Sequence, residues 1–261
     1  MYEVLSAASF PVLAAGIAAA LLVLNAVWSG VGVWAEASRF GRGHRVWAIG
    51  LKDGQLRREI GANLRFDLLL AVFTAALLAT GAVRIAAEPD FSGWVTFLAC
   101  WVSFEVYYWL LHRAMHTRPL YRFHKFHHDS RVTTPFTGFS MSLGEGLGWA
   151  VGFALAPLVL SLFGTVSLTG WALYFVYNYS GNIVGHINVE FFPKWMHRRA
   201  NTWLVHPITY HALHHARFVN HYGFGSSFMD RLLGTEWEDW PALHDRVRDG
   251  NAMTSLAQRG A

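Results

Sequence analysis

Cysteine occurs once in the 261 residues, at Cys100 inside an apolar run. That excludes a disulfide framework and leaves no set of thiolates to hold a metal. Charge is thin as well: Asp, Glu, Lys and Arg make up 15% of the chain, against about a quarter in ordinary globular domains. Lysine is confined to Lys52, Lys125 and Lys194, while Ala, Gly, Trp and Arg abound, a usage that points to a GC-rich bacterial source. No stretch alternates apolar and polar residues as a strand would, no low-complexity linker marks a second domain, and no motif of nucleic-acid binding appears. A nucleic-acid partner is therefore not expected. The modest net charge of +4 sits in blocks between apolar segments, which suits lipid headgroups.

What is present is hydrophobic length. Hydrophobic residues make up 53% of the chain. Residues 4–28, 64–87, 91–111, 143–163 and 166–185 are apolar runs near the length needed to cross a hydrocarbon core of about 30 Å. The first has no basic flank before it and no clean cleavage site after it, so it reads as a transmembrane helix and not as a removable signal. Glu88-Pro89-Asp90 separates the second and third runs and Gly164-Thr165 the last two, which predicts two tight helical hairpins. The expected fold is all-α: a single membrane-embedded domain over 1–261, with about four to five transmembrane helices and further helices on the cytosolic side. Arg39, Arg42, Arg45, Lys52, Arg57 and Arg58 lie between the first and second runs, and Arg113, Arg118, Arg122, Lys125 and Arg131 between the third and fourth. By the positive-inside rule both segments face the cytoplasm, as would the tail from His186 onward, which fits a bacterial inner membrane.

Against this apolar background stand 14 histidines. The word His-x-x-His-His occurs at His124-Lys125-Phe126-His127-His128 and again at His211-Ala212-Leu213-His214-His215, and a His-x-x-x-His pair, His112 and His116, precedes the first. Random placement would give on the order of a few hundredths of one such five-residue word, so two copies beside a third box point to metal. On a helix, residues three and four apart share a face, so each box presents its rings together. Imidazole ligates in its neutral form and suits Fe, Zn, Cu or Ni, so these boxes could hold two divalent ions without thiolate. Residue type alone does not choose iron. The plain alternative is a set of helix caps or surface clusters.

Other residues have weaker signals. Glu105 lies seven residues before His112, two turns away on the same face, and reads either as an acceptor for a ligand's second ring N–H or as a polar contact to a neighbouring helix. His206 precedes Pro207 and is offset from the face of His211, which suggests a supporting position or a helix start. His44, His197, His221 and His244 have no partner at metal spacing and read as surface or interfacial residues. The aromatics Tyr107, Tyr108, Trp109, Phe123, Phe126, Phe136, Phe139, Trp171, Tyr174 and Tyr177 either line an acyl tunnel or sit at the membrane interface. The glycines of 144–152 either allow close helix packing or leave room for substrate.

The order of boxes, with the last following a transmembrane hairpin, resembles the fatty acid hydroxylase and sterol desaturase superfamily of membrane di-iron oxygenases. So do Glu105-Val106-Tyr107-Tyr108-Trp109 before His112-Arg113, Leu120-Tyr121-Arg122-Phe123-His124 before His127-His128, and Tyr222-Gly223 followed by Asp230-Arg231-Leu232-Leu233-Gly234-Thr235. The resemblance runs over about 91–240. It implies a cytosolic centre of two Fe ions, with Zn possible after purification, that activates O2 and hydroxylates or desaturates a C–H bond of a lipid. It also implies that Glu145 supports the centre. Many members carry another His-x-x-x-His before the final box, and the matching segment here reads Asn182-Ile183-Val184-Gly185-His186. The resemblance thus gives His186 a ligand position and leaves Asn182 as a weak ligand or the holder of a metal-bound water. No cytochrome b5-like, flavin or dinucleotide-binding segment is evident, so electrons are expected from an external ferredoxin or cytochrome b5 system. Two alternatives stay open. A metal-transporting membrane protein would spread ligands along a transmembrane path, and a zinc-dependent lipid hydrolase or isomerase would work without O2.

Overall fold

A chain in hydrocarbon must satisfy its own backbone, so apolar runs become helices. The computed structural model describes residues 8–197 and 202–260. The first helix, α1 (Phe10–Ala37), opens with a proline in its first turn, where the missing N–H has no intrahelical partner to lose. A short α2 (Arg39–Gly43) follows, then α3 (Gln55–Ala79), α4 (Gly93–Met115), α5 (Tyr121–His128), α6 (Leu143–Leu160) and α7 (Leu168–Gly185). The starts of α4, α6 and α7 are set by Ser92, Ser142 and Ser167, whose hydroxyls accept the N–H groups of Val95, Glu145 and Gly170. Beyond α7 come a 3-10 turn (Lys194–His197), α8 (Ile208–Arg217), α9 (Phe228–Leu232) and α10 (Trp240–Arg248). Among the described residues there is no strand beyond isolated bridges such as Ile85 with Val166.

Four helices, α1, α3, α4 and α6, are long and apolar enough to cross a membrane. The less apolar α7 packs between α1 and α4 in the same bundle. Two expected boundaries move. The second span was expected over 64–87, but α3 begins nine residues earlier, at Gln55, because the polar turn Gln55 to Glu59 is itself buried at Gln55 and Glu59, and it ends at Ala79. The first span was expected over 4–28; residues 4–7 lie outside the described residues, and α1 continues to Ala37. Val23, Val27, Leu68, Val72, Val102 and Phe163 point outward as an apolar belt, the pattern of a lipid-facing surface. A side chain at Gly170 would meet Gly93 O at 2.3 Å, so this glycine is what lets the ends of α4 and α7 touch. The glycines of α6 are packed shut: a Cβ at Gly144, Gly148 or Gly152 would meet Phe123, Leu111 or Tyr107 within 3.0 Å, so they serve helix packing and leave no room for substrate.

Polar side chains inside the bundle pair with one another. Asn25 of α1 donates to Asn63 and Asp67 of α3 and to Tyr179 of α7, and Tyr179 donates on to Asp67. Glu59 accepts from Gln55, Ser130, Thr134 and Thr137 at 2.5–3.0 Å, so α3 grips the loop that follows the first five-residue box. A second core of Val46, Trp47, Tyr210, Leu213, Trp240, Leu243, Val247 and Met253 caps one end of the bundle, and α8 with the last box is built into it.

Candidate metal centre

The final turn of α4 carries His112, and His116 is its C-cap residue. One turn of chain later α5 presents His124, His127 and His128; the end of α7 presents His186; α8 presents His211, His214 and His215. These nine rings meet in two groups, each with geometry that could hold a metal ion. His112, His116, His124, His128 and His214 form one, and His127, His186, His211 and His215 the other, with the potential donor atoms of each group within 4.8 Å of one another. Neither five-residue word stays together. Only the tertiary fold distributes its members.

In six of the rings the second nitrogen shows what the first is for. The Nδ1–H groups of His112, His127, His186, His214 and His215 donate to the backbone carbonyls of Tyr222, Ser140, Asn182, Asn220 and Ser130 at 2.6–3.3 Å. His124 Nδ1 meets Glu145 Oε1 at 2.6 Å. Each bond fixes the proton on Nδ1 and leaves Nε2 as a bare lone pair, the arrangement that orients a metal-ligating imidazole. Nε2 of His112, His124 and His215 is buried and has no hydrogen-bond partner. Elsewhere Nε2 atoms face each other: His128 lies 3.2 Å from His116 and 3.1 Å from His214, and His186 lies 3.0 Å from His211. Since His186 and His214 carry their protons on Nδ1, these contacts bring lone pairs together unless the opposite ring gives up its own Nδ1 proton and leaves that buried atom unpaired, as Nδ1 of His128 and His211 would then be. A cation between the rings satisfies every lone pair at once. The residues therefore fit a histidine-bound transition-metal ion.

Burial keeps the rings neutral and ready to ligate. Desolvation, followed by the charge of neighbouring rings, pushes His116 down to about 2, and desolvation holds His124 and His127 down to about 3 and His186 to about 4. The same causes hold His128, His211, His214 and His215 well below the ordinary imidazole value.

Supporting residues divide less evenly than expected. Glu145 touches His124 and also accepts from Trp149. Glu105, by contrast, meets no box histidine: its Oε2 accepts from the hydroxyl and N–H of Ser226 at 2.6 and 3.3 Å, because α4 turns that face toward the loop before α9. The expectation of a ring N–H on Glu105 is thereby corrected. His206 is buried, stacks on Tyr210 at 4.6 Å and belongs to neither group. Asn182 commits its amide nitrogen to Gly138 O and lends its backbone carbonyl to His186, leaving Oδ1 as its free polar atom. A Cβ at position 138 would come within 2.9 Å of Asn182 O, so glycine is needed there.

The reading of His221 and His244 as surface residues is overturned, since neither is exposed. His221 stacks on Tyr210 at 3.6 Å, donates from Nδ1 to Tyr210 O and accepts at Nε2 from Trp237 N–H. With Phe218 and Asn220 it has a positive φ, and this strained segment is what turns Asn220 O toward His214. Sequence reasoning missed Asp230, which accepts from Trp109, Tyr210, Thr235 and the N–H groups of Tyr222 and Gly223 and so holds the carbonyl that orients His112.

A narrow cavity reaches the centre between α4, α6 and α7. Phe104, Tyr108, Phe139, Trp149, Phe153 and Phe224 line it, with His127, Glu145 and Asn182 among its polar residues. Of the aromatics singled out from sequence only Tyr108 and Phe139 face this space; Trp109 is held on Asp230 instead. A smaller pocket bounded by Tyr108, Asn182, His186, His211 and Phe224 lies beside it. Both open on the group of four histidines.

Compared with known proteins, residues 97–235 match the profile of the family described as Fatty acid hydroxylase. The chain is 31% identical over 229 residues to "Very-long-chain aldehyde decarbonylase GL1-4" of Oryza sativa, a match that covers 85% of this chain and 37% of the relative. It is 33% identical over 145 residues to "Very-long-chain aldehyde decarbonylase CER1" of Arabidopsis thaliana, covering 54% of this chain and 23% of the relative. The matches thus span between 23% and 37% of the length of these curated relatives. No solved structure matches it.

Proposed function

The chain belongs to the fatty acid hydroxylase family, and from that premise we propose that it is an integral membrane oxidoreductase holding two Fe ions, which uses O2 and two external electrons to hydroxylate or desaturate a lipid substrate. The family and the names of its relatives point to lipid-modifying enzymes. The single observation that carries the reading is the convergence of nine neutral imidazoles, six of them oriented through Nδ1, beside an aromatic cavity. Such ions, when bound, supply O2 activation strong enough to attack an unactivated C–H bond.

The chain's own residues supply the rest. His112, His116, His124, His128 and His214 would hold one ion, and His127, His186, His211 and His215 the other, with Asn182 as a weak further ligand on that side. Glu145 keeps the His124 ring in one tautomer, and the carbonyls of Tyr222, Asn220, Ser130, Ser140 and Asn182 do the same for their rings. Phe104, Tyr108, Trp149 and Phe153 exclude water and align an acyl chain against the group of four. His206, stacked on Tyr210 near α8, supports the position of His211. The arginine-rich segments support a cytoplasmic position for this face, where a ferredoxin or cytochrome b5 donor would reach it.

A second reading is favoured by the relatives' names: the substrate would be a long-chain aldehyde, whose bond between chain and carbonyl carbon would break to give a hydrocarbon one carbon shorter and carbon monoxide. Lipid profiling of a deletion strain against strains complemented with the wild type or with His215→Ala tests both. An O2-dependent lipid species restored only by the wild type supports an oxygenase, and an aldehyde consumed with a hydrocarbon one carbon shorter supports the second reading. Identical lipids in all three strains would remove both.

A further inference from the structure

A third group of metal-type side chains lies outside the nine-histidine centre. His197 ends the 3-10 turn (Lys194–His197), and His244 and Asp245 lie on α10, which packs against that turn. One donor atom of each falls within 4.8 Å of the others. We propose that His197, His244 and Asp245 form a separate site for a single divalent ion of the zinc class, which staples the segment leaving α7 to the C-terminal helix.

The key residue is His244. Its side chain has no exposed surface, and its Nε2–H donates to Phe192 O at 3.2 Å. That bond places the proton on Nε2 and leaves Nδ1 as a lone pair, and Nδ1 is buried without any partner. Desolvation brings the ring down to about 4, so it is neutral near pH 7. A buried acceptor with nothing to accept is uncommon and calls for a ligand. His197 stands across from it, ring centroids 5.7 Å apart and nearly perpendicular at 80°, close to the disposition of two rings of one group in the main centre, His127 and His186 at 5.4 Å and 77°. Asp245 Oδ1 lies 3.1 Å from His197 Nε2 and adds the negative charge that an all-imidazole site lacks. A simple His197–Asp245 ion pair would explain that last contact but would not use His244. Two imidazoles and one carboxylate leave a coordination position for water, and the partial exposure of His197 and Asp245, 24% and 39% of their side chains, gives the ion a way in.

The sequence hides this site, since 46 residues separate His197 from His244 and neither belongs to a spaced motif. Its role would be structural. The turn and α10 flank the second core around Trp240, and an ion bound only in the folded state stabilises it by mass action.

The test is a count of ions. Detergent-purified full-length protein, with its main centre loaded, is equilibrated with Zn2+ in the presence of a weak chelator, and bound metal is measured per chain together with the thermal unfolding midpoint. His197→Ala and Asp245→Asn change partly exposed groups and leave the core filled, whereas His244→Ala can fail to fold. The expected result is that each of the first two variants binds one ion fewer than the wild type and loses the Zn2+-dependent rise in midpoint. The difference does not depend on how many ions the main centre holds or on any activity. Equal ion counts in wild type, His197→Ala and Asp245→Asn would overturn the proposal.

Discussion

The two copies of His-x-x-His-His are identical words with opposite fates. In the first, the outer pair His124 and His128 joins the group of five and the inner His127 crosses to the group of four. In the second, the outer pair His211 and His215 joins the group of four and the inner His214 crosses to the five. The words alone would make the groups equal, three rings each. The imbalance comes from the additions: His112 and His116 complete one group, while the other receives only His186 and has Asn182 where a further imidazole could stand. The cavity opens on the four, not on the five. On the proposed reading, a five-ring group and a four-ring group built from one repeated word would do different work: the five would hold an ion, and the four, beside the cavity, would receive the substrate.

The largest expected effect comes from thinning the smaller group. His215→Ala leaves it three rings and should cut metal retention and lipid turnover on the order of 100-fold or more, while His116→Ala, which takes the least enclosed ring from the group of five, should cost about tenfold. Metal per chain and turnover measured in parallel check the ranking, and equal losses would dissolve the distinction between the five-ring and the four-ring group. Membrane insertion should survive in both.

Next in size is the comparison of the two buried glutamates. Glu145→Gln weakens the bond that orients His124 and should lower metal affinity about 10- to 100-fold, whereas Glu105→Gln, on Ser226, should leave metal content unchanged. A metal loss on Glu105→Gln as large as on Glu145→Gln would put Glu105 back beside the ligands.

The position that unbalances the groups gives a graded test. His186→Ala should cost more metal and activity than Asn182→Leu, and Asn182→His should change metal retention by adding an imidazole next to the cavity. Full metal and activity in both His186→Ala and Asn182→Leu would show that the smaller group is completed elsewhere, with His206 the next candidate.

Setting the metal aside, the buried rings also predict a slope of stability with pH. His124, His127 and His221 have folded-state values of about 3 against an ordinary 6.5. The unfolded chain therefore takes up protons that the folded chain refuses. Stability is full above about pH 6.5 and falls with acid by up to about 1.4 kcal/mol per pH unit for each such ring. Unfolding midpoints in detergent at pH 7.5, 6.5 and 5.5 should drop steeply only over the last step, and a flat profile would contradict the burial of these rings.

How much could be read beforehand follows from what each feature depends on. The all-helical membrane fold was legible because lipid forces apolar runs to satisfy their backbones internally, and four of the expected spans appear as long apolar helices. The boxes were legible because imidazole spacing on a helix is local. Glu105 was misread because two turns of shared helix face say which way a side chain points, not what loop will meet it; Ser226 is 121 residues away. His221 and His244 were misread because their partners, Tyr210 and Phe192, are backbone carbonyls with no signature in the sequence.

Sequence by itself determined that this chain is helical, lies in a membrane and gathers neutral nitrogen ligands, since those properties rest on composition and on spacings of three and four residues. Tertiary structure alone decided which ring joins which group, which carbonyl fixes each proton and which group faces the cavity. The physical reason is that a lone pair acquires its meaning from what stands about 3 Å away, and in this fold those neighbours come from α4, α5, α7, α8 and the loops after α5 and α8, across as many as 110 residues of chain.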